Sequence, residues 1–278
     1  MNSIEVAGPL RKMRVELTAP VTYQLLVGES AIPLNPYLGA SVRLQYLGAI
    51  SCMHCGRATK KSFSQGYCYP CFQSLAQCDS CIVSPEKCHY DIGTCREPSW
   101  AETHCLQPHI VYLANSSGIK VGITRGTQVP TRWIDQGAVQ ALPILSVQTR
   151  QQSGFVETLF KRHVADKTNW RAMLKGQVDV LDLPAQRDRL LAECAADIAG
   201  LQQRFGLQAV QLLPHAAAIA IDYPVLEHPS KVTSLDFEKT PLIEGRLLGI
   251  KGQYLMLDIG VLNIRKFGAY HVQFSVGG

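Results

Sequence analysis

Nine of the ten cysteines in this 278-residue sequence lie between Cys52 and Cys105, and the first four form two Cys-x-x-Cys pairs. Cys52 and Cys55 make the first pair, and Cys68 and Cys71 make the second after a gap of twelve residues. A two-residue gap lets both thiolates of a pair reach one tetrahedral ion, and the longer loop brings in the other pair. The spacing therefore predicts a structural zinc site.

A second group of cysteines follows these two pairs directly. The third Cys-x-x-Cys pair and Cys88 could supply three ligands of a further set, which a later cysteine or His104 would complete. Alternatively, the first and third pairs could share one ion. We predict one or two structural zinc ions, with an iron–sulfur cluster as the alternative. The candidate ligands are Cys52, Cys55, Cys68, Cys71, Cys78, Cys81, Cys88, Cys95 and Cys105.

The composition is that of a folded protein, because 46% hydrophobic and 18% charged residues exclude wholesale disorder. The first twenty residues lack the apolar core of a secretory signal, and the apolar stretches are too short to cross a bilayer. We expect a cytoplasmic location without a membrane partner, where reduced thiols favour metal binding over disulfides. The net charge of +5 is compatible with DNA or RNA as a partner without requiring either.

The hydrophobic patterns predict an α+β chain. Alternating apolar and polar residues predict strands near both termini, which suggests one β-rich unit built from the two ends, with a small barrel as one form of it. The predicted segments are an N-terminal β segment (1–50), a cysteine-rich zinc-binding segment (51–108), a mixed α/β module (109–182), a helical segment (183–224) and a C-terminal β segment (225–278).

The central module is predicted to contain a hairpin and two helices. Residues 109–113 and 119–123 form the strands of the hairpin around a Ser-Ser-Gly turn. Residues 129–135 and 153–165 form the helices, the second with Ser153 as its N-cap.

The helical segment contains the clearest helical pattern in the sequence, over residues 184–205. Pro184 suits a first helical turn, and Gly206 follows the end. Cys194 lies on the apolar stripe of this helix, so we predict a packed core thiol and not a metal ligand.

A series of short motifs runs through the central module. Val111-Tyr112-Leu113 is followed by Lys120-Val-Gly-Ile-Thr124, by Arg132-Trp-Ile-Asp-Gln-Gly137 and by Glu157. This order resembles the GIY-YIG nuclease superfamily, in which a hairpin carries a tyrosine and a Tyr-Ile-Gly motif and later helices supply an arginine and a glutamate. The resemblance implies a small α/β fold that hydrolyses phosphodiesters with one divalent metal ion.

The resemblance also implies roles for individual residues. Tyr112 matches the tyrosine that helps to activate water, and Gly122 matches the motif glycine. Arg132 matches the arginine that stabilises phosphate charge, and Glu157 matches the carboxylate that would bind Mg²⁺ or Mn²⁺. Asn169 is the candidate for a trailing asparagine of the family.

Each of the three central residues also has an ordinary structural explanation. Tyr112 could simply pack in a core, and Glu157 could form a helix-surface ion pair with Lys161. Arg132 could cover the aromatic face of Trp133. Their shared order makes the resemblance more specific than any one of them.

The module departs from the family pattern at the second tyrosine, where Lys120 takes the tyrosine's place among the catalytic candidates. Loss of an acid–base hydroxyl would lower the rate of hydrolysis by roughly 10²–10⁴. A lysine can instead hold a phosphate. The module could therefore bind nucleic acid without cutting it. The candidate phosphate contacts are Lys120, Arg125, Lys161, Arg162 and Arg171, with Lys167 and Lys175 in the same basic stretch and Arg265 and Lys266 as an extension.

Most of the chain is similar to an uncharacterised bacterial family, domain of unknown function 2797. The residues that carry this likeness lie at 132–138, 168–171 and 249–255. The likeness implies an architecture in which a cysteine cluster is joined to a GIY-YIG-like module. It implies no activity.

Three functions therefore remain in competition. The preferred hypothesis is a zinc protein that binds nucleic acid through a GIY-YIG-like module. The alternatives are a metal-dependent nuclease that hydrolyses phosphodiesters and a zinc-stabilised adaptor whose cysteine-rich segment contacts other proteins. The missing tyrosine favours binding over hydrolysis, and the basic stretch favours nucleic acid over a protein partner.

Overall fold

The computed structural model describes residues 4–164 and 168–277, which form two antiparallel sheets with helices around them. The predicted α+β class is confirmed. None of the helices in those two ranges combines the length and the apolar surface that crossing a bilayer requires.

The strands are β1 (Glu5–Glu16), β2 (Thr22–Val27), β3 (Ser30–Pro33), β4 (Ser41–Ile50), β5 (His109–Asn115), β6 (Ile119–Arg125), β7 (Gln140–Val147), β8 (Val210–Leu212), β9 (Ile219–Ala220), β10 (Leu242–Lys251), β11 (Tyr254–Leu257), β12 (Gly260–Asn263) and β13 (Tyr270–Val276). The helices are α1 (Tyr69–Ser74), α2 (Pro98–His104), α3 (Thr131–Asp135), α4 (Arg150–Phe160), α5 (Trp170–Leu174), α6 (Leu183–Glu193) and α7 (Ala195–Phe205).

The larger sheet interleaves strands from the two ends of the chain, in the order β12-β11-β10-β4-β13-β1-β2-β3. The predicted β-rich unit built from both termini is therefore present. Its pairing order is linear, with β12 and β3 at the two edges, and not the closed ring of a small barrel. Alternate residues of β4 and β13, such as Val42, Leu44, Val272 and Phe274, are buried on one face, as the period of two requires.

The smaller sheet has the order β6-β5-β7-β8, and β9 also pairs with β7. Its central strand β5 is buried on both faces. Tyr112 and Ala114 point into the core shared with the larger sheet, while Val111 and Leu113 face a second core beneath α4, α6 and α7. Trp133, fully buried in the shared core, anchors α3 between the two sheets. This anchor fixes the position of the neighbouring Arg132.

Two helix predictions need correction. The predicted N-cap Ser153 lies inside α4, which begins at Arg150, because Thr149 and Gln152 form a capping box that starts the helix earlier. The predicted continuous helix over 184–205 is divided at Cys194, whose backbone (φ −102°, ψ 10°) is not helical. Cys194 itself is 1% exposed and packs in the core beneath the smaller sheet, as the apolar stripe predicts.

The cysteine-rich segment has little apolar core of its own. Its buried cluster consists mainly of thiols with Leu75, and Tyr67 and Phe72 pack against it. The segment docks on the larger sheet through backbone contacts, among them Ser51 N–H to the carbonyl of Ala269 at 3.1 Å. Because so few apolar groups are buried, this segment depends on another source of stability.

A buried lysine at the end of β10 gives a pH-dependent prediction. Lys251 is 2% exposed, and burial lowers its pKa from the ordinary 10.5 to about 8. The unfolded chain therefore binds more protons than the folded chain between pH 8 and 10.5, so this residue makes stability rise with pH across that window. We expect Lys251→Met to raise the free energy of unfolding at pH 7 by about 1–3 kcal/mol and to remove that rise.

Urea unfolding of the wild type and of Lys251→Met at neutral and alkaline pH measures this effect. The ammonium also lies 5.3 Å from the ring centre of Tyr223, and the loss of that contact reduces the gain. An equal rise in stability with pH in both proteins would show that Lys251 does not cause it.

Candidate functional site

The first four cysteines form a compact ligand cluster. The sulfur atoms of Cys52, Cys55, Cys68 and Cys71 all lie within 4.8 Å of one another. The sulfurs of Cys55 and Cys68 are 3.7 Å apart, close to the roughly 3.8 Å expected for two ligands on a tetrahedral zinc ion with Zn–S bonds of about 2.3 Å. The cluster can therefore hold one zinc ion, and we call it the paired-cysteine site.

The environment of the paired-cysteine site favours thiolates that share a cation. Burial opposes ionisation of Cys52, but hydrogen bonds from the backbone of Cys55, Cys68 and His54 lower its pKa to about 6. The pKa of Cys71 is raised, first by burial and then by the neighbouring thiols. Four thiolates at these distances repel one another, so a bound cation is needed to keep them all ionised.

Two residues of the predicted catalytic group, Arg132 and Glu157, line a cavity of about 640 Å³ to which three parts of the chain contribute. The smaller sheet and α3 contribute Arg125 and Arg132, and α4 contributes Arg150 and Glu157. Arg265 enters from the 3-10 turn between β12 and β13, and residues of the cysteine-rich segment form another wall. We call this the arginine cavity, because its lining has four guanidinium groups and one carboxylate.

The arginine cavity concentrates positive charge in a poorly solvated place. Burial lowers the pKa of Arg150 and of Arg265, and in both cases the neighbouring charge of Arg132 acts in the same direction. Arg150 also donates to the carbonyl of Ile82 at 2.6 Å, while its buried Nε has no hydrogen-bond partner in the described structure. Such an arrangement is stabilised by an anion that accepts hydrogen bonds from several arginines at once.

Tyr112 lies beneath this cavity and not in its lining. The side chain is fully buried, and its hydroxyl donates to Oε1 of Gln136 at 3.0 Å. Burial raises the pKa of Tyr112 to about 12, although the charge and hydrogen bond of Arg132 act in the opposite direction. Tyr112 thus contacts Arg132, which lines the cavity, and the phenol of Tyr112 stays protonated at neutral pH.

Gly122 makes room for the Tyr112 ring, because the two residues are directly paired across β5 and β6. A Cβ atom at Gly122 would lie 2.6 Å from Cζ and from the hydroxyl of Tyr112. We expect Gly122→Ala to displace the ring and to lower the free energy of unfolding by roughly 1–3 kcal/mol.

The matched control is Gly126→Ala, since a Cβ there would meet only the carbonyl oxygen of Pro108 at 3.7 Å. Thermal unfolding of the two variants compares the positions directly. Equal losses would show that the space above Tyr112 is not restricted.

Lys120 and Asn169, two predicted catalytic positions, lie near each other and are not among the residues that line the arginine cavity. Lys120 is 4% exposed, and its ammonium donates to the hydroxyl of Thr168 at 2.6 Å. Asn169 is the N-cap of α5, where its side chain accepts from the backbone of Ala172 at 3.2 Å. Both residues therefore have structural partners at the start of α5.

The predicted phosphate-contacting residues are spread over several surfaces. Arg125 lines the arginine cavity, whereas Lys161 lies 3.3 Å from the carboxylate of Glu157 in the i,i+4 pair that the sequence suggested. Arg162 lies 3.6 Å from Asp197 of α7. Arg171 covers the ring of Trp170, Lys266 pairs with Asp236, and Lys167 lies outside the described residues. Of these described candidates, Arg125 therefore lies in the arginine cavity together with Arg265, and the others have partners of their own.

Arg150 is the cavity residue that sequence reasoning missed. Arg150 directly follows the N-cap Thr149 of α4. A predicted helix that began at this position would have placed Arg150 and Glu157 on the same helix, about two turns apart. No spacing rule in the sequence connects Arg150 to Arg265, because their proximity depends on how the two sheets pack.

The fold and the paired-cysteine site define a mixed α/β protein with a cysteine cluster able to hold zinc. The family model described as Protein of unknown function (DUF2797) matches residues 39–272, which is most of the chain, and the protein belongs to this family. No match to a curated protein or to a solved structure was found. The family brings no activity with it, so function has to be argued from the sites.

Proposed function

We propose that this protein binds nucleic acid, with a backbone phosphate held in the arginine cavity and zinc stabilising one wall of that cavity. The observation that carries the proposal is the convergence of Arg125, Arg132, Arg150 and Arg265 on one cavity of about 640 Å³. Guanidinium groups hold phosphate oxygens through paired, charge-assisted hydrogen bonds, and phosphate contacts supply most of the affinity for nucleic acids.

The order of the elements supports a GIY-YIG-like origin for this site. A hairpin with Tyr112 and Gly122 precedes α3 with Arg132, and α4 with Glu157 follows. Arg132 and Glu157, which the resemblance pairs, both line the arginine cavity. Arg265 and the wall formed by the cysteine-rich segment come from outside the module. Their contribution suggests a site adapted to hold its ligand.

The donor set is a poor fit for the Mg²⁺ or Mn²⁺ that the resemblance implies at Glu157. These hard cations prefer several oxygen ligands, but Glu157 is the single carboxylate among the described lining residues, and Lys161 lies 3.3 Å from it. Surrounding guanidinium groups repel a divalent cation. These charges support phosphate binding over metal-assisted hydrolysis, and so does the buried, protonated Tyr112.

The proposal is tested by titrating labelled DNA and RNA oligonucleotides with the purified protein at low salt, without divalent ions. We expect binding that weakens steeply as salt increases. Inorganic phosphate and free nucleotides serve as competitors. If these competitors bind as tightly as the polymer, a small-molecule site replaces the proposal. If the polymer does not bind, the protein-interaction adaptor replaces it.

The same oligonucleotides incubated with Mg²⁺ or Mn²⁺ test the nuclease alternative. We expect no cleavage beyond that of a Glu157→Gln control. Strand cleavage by the wild type that Glu157→Gln abolishes would establish the nuclease and contradict the preference for binding alone.

A further inference from the structure

Four cysteines outside the paired-cysteine site surround one small cavity. Cys81, Cys88, Cys95 and Cys105 all line it, and the space at its centre is about 10 Å³, roughly the room that a single water or ion needs. The four residues come from separate turns of the chain, so the fold and not local sequence gathers them. Burial raises the pKa of Cys81 to about 11, and the charges of Asp79 and of the other three thiols act in the same direction.

The third Cys-x-x-Cys pair is divided between the two centres. Cys78 belongs to the buried cluster that contains Cys52 and Cys68, whereas Cys81 lines the second cavity. Between them, Asp79 forms an ion pair with Arg96, whose Nε lies 2.9 Å from its carboxylate. The pair therefore does not act as one knuckle.

We propose that Cys81, Cys88, Cys95 and Cys105 bind a second structural zinc ion. Four thiols that line one small cavity supply the number and type of donors that are usual for zinc that stabilises a segment without an apolar core. This inference is independent of the nucleic-acid proposal.

A competing ligand set in the same region is Asp79, Cys81 and His89, whose ligand atoms lie within 4.8 Å of one another. Both ring nitrogens of His89 are already in hydrogen bonds, Nδ1 with Thr94 at 2.8 Å and Nε2 with Asp79 at 3.3 Å. Asp79 also accepts from the backbone of Ser80. These contacts assign Asp79 and His89 to holding the surrounding turns, with the sulfur atoms left as the ligands.

The second zinc would also fix the helix that carries Glu157. The carbonyl of Cys105 accepts from the backbone N–H of Arg150 at 2.7 Å, and the carbonyl of Cys88 accepts from Gln151 at 3.0 Å. Gly154 lies so close to this segment that a Cβ would meet the backbone of Glu86 at 2.5 Å. The cysteine ligands are thus joined directly to the first turns of α4.

Zinc analysis of the purified full-length protein tests the assignment. We expect about two zinc ions in the wild type and about one in Cys88→Ser and in Cys95→Ser. Cys78→Ser, Cys194→Ser and His89→Ala should each keep both ions. One ion in the wild type, two in the Cys88 and Cys95 variants, a loss in Cys78→Ser or His89→Ala, or iron in place of zinc would overturn the assignment.

Two further measurements keep the test informative if a serine variant does not fold. Cys95→His retains a zinc-binding side chain and should keep both ions. In the native wild type, the half-exposed thiols of Cys81, Cys88 and Cys95 should resist alkylation until a chelator is added. Rapid alkylation of all three before chelation would contradict bound metal.

Discussion

Replacement of Cys68 by serine should remove one zinc ion and unfold the segment around the paired-cysteine site while the larger sheet stays folded. Structural zinc contributes an apparent binding free energy of about 10–16 kcal/mol. The apolar cluster of this segment is far too small to replace it. The larger sheet has an extensive core, which it shares with the smaller sheet and which includes Leu44, Val272 and Phe274, so it does not depend on the metal.

Limited proteolysis followed by mass spectrometry measures this local unfolding. New cleavage sites should appear within residues 51–81 in Cys68→Ser, and in the wild type after chelation, with little change in the circular dichroism of the strands. Cys194→Ser is the matched control, because that thiol is buried in a core remote from the paired-cysteine site. Unchanged protease resistance in the metal-free protein would show that zinc does not stabilise the segment.

The paired-cysteine site and the arginine cavity are linked through the chain that connects them. Ser64, Gln65 and Tyr67, which lie between the two cysteine pairs, also line the cavity. Gln65 accepts a hydrogen bond from Arg265, and the hydroxyl of Ser62 donates to the carbonyl of Gly268 at 3.0 Å. Loss of zinc should therefore remove one wall of the cavity and weaken the binding of its ligand.

Substitution of single arginines in the cavity should have the second large effect. Each of Arg125→Gln, Arg132→Gln and Arg265→Gln removes one charged donor, and a hydrogen bond to a charged group contributes roughly 1.5–3 kcal/mol. We expect each variant to bind oligonucleotides about ten- to a hundredfold more weakly. Loss of one phosphate contact should also reduce the salt slope of log affinity by about one.

Equilibrium binding over a range of salt concentrations measures both quantities. Arg162→Gln is the control, since Arg162 pairs with Asp197 on the surface and does not line the cavity. A similar loss of affinity in Arg162→Gln and in the cavity variants would favour a diffuse basic surface.

Local patterns in the sequence predict those parts of the structure that depend on local spacing. The two-residue gaps of Cys52/Cys55 and Cys68/Cys71 are enough to predict the paired-cysteine site. The alternating strands at the two ends predict the larger sheet, although not its interleaved order. The apolar stripe around Cys194 predicts a buried thiol correctly, even though the helix is divided there.

Features that depend on packing between distant segments could not be predicted. Arg150 and Arg265 are separated by more than a hundred residues and meet only because the two sheets share a core. The division of the Cys78/Cys81 pair between two centres likewise follows from how the turns fold and not from the spacing. Sequence spacing reports local geometry, whereas these sites are set by tertiary contacts.

The most direct test of the central claim compares two triple variants of equal net charge. Arg125, Arg132 and Arg265 are replaced by glutamine in the first variant, and the exposed arginines Arg14, Arg43 and Arg246 of the larger sheet are replaced in the second. The dissociation constant for a labelled oligonucleotide at low salt should rise at least about a hundredfold in the first and less than about tenfold in the second. Equal effects in the two variants would contradict a phosphate site in the arginine cavity.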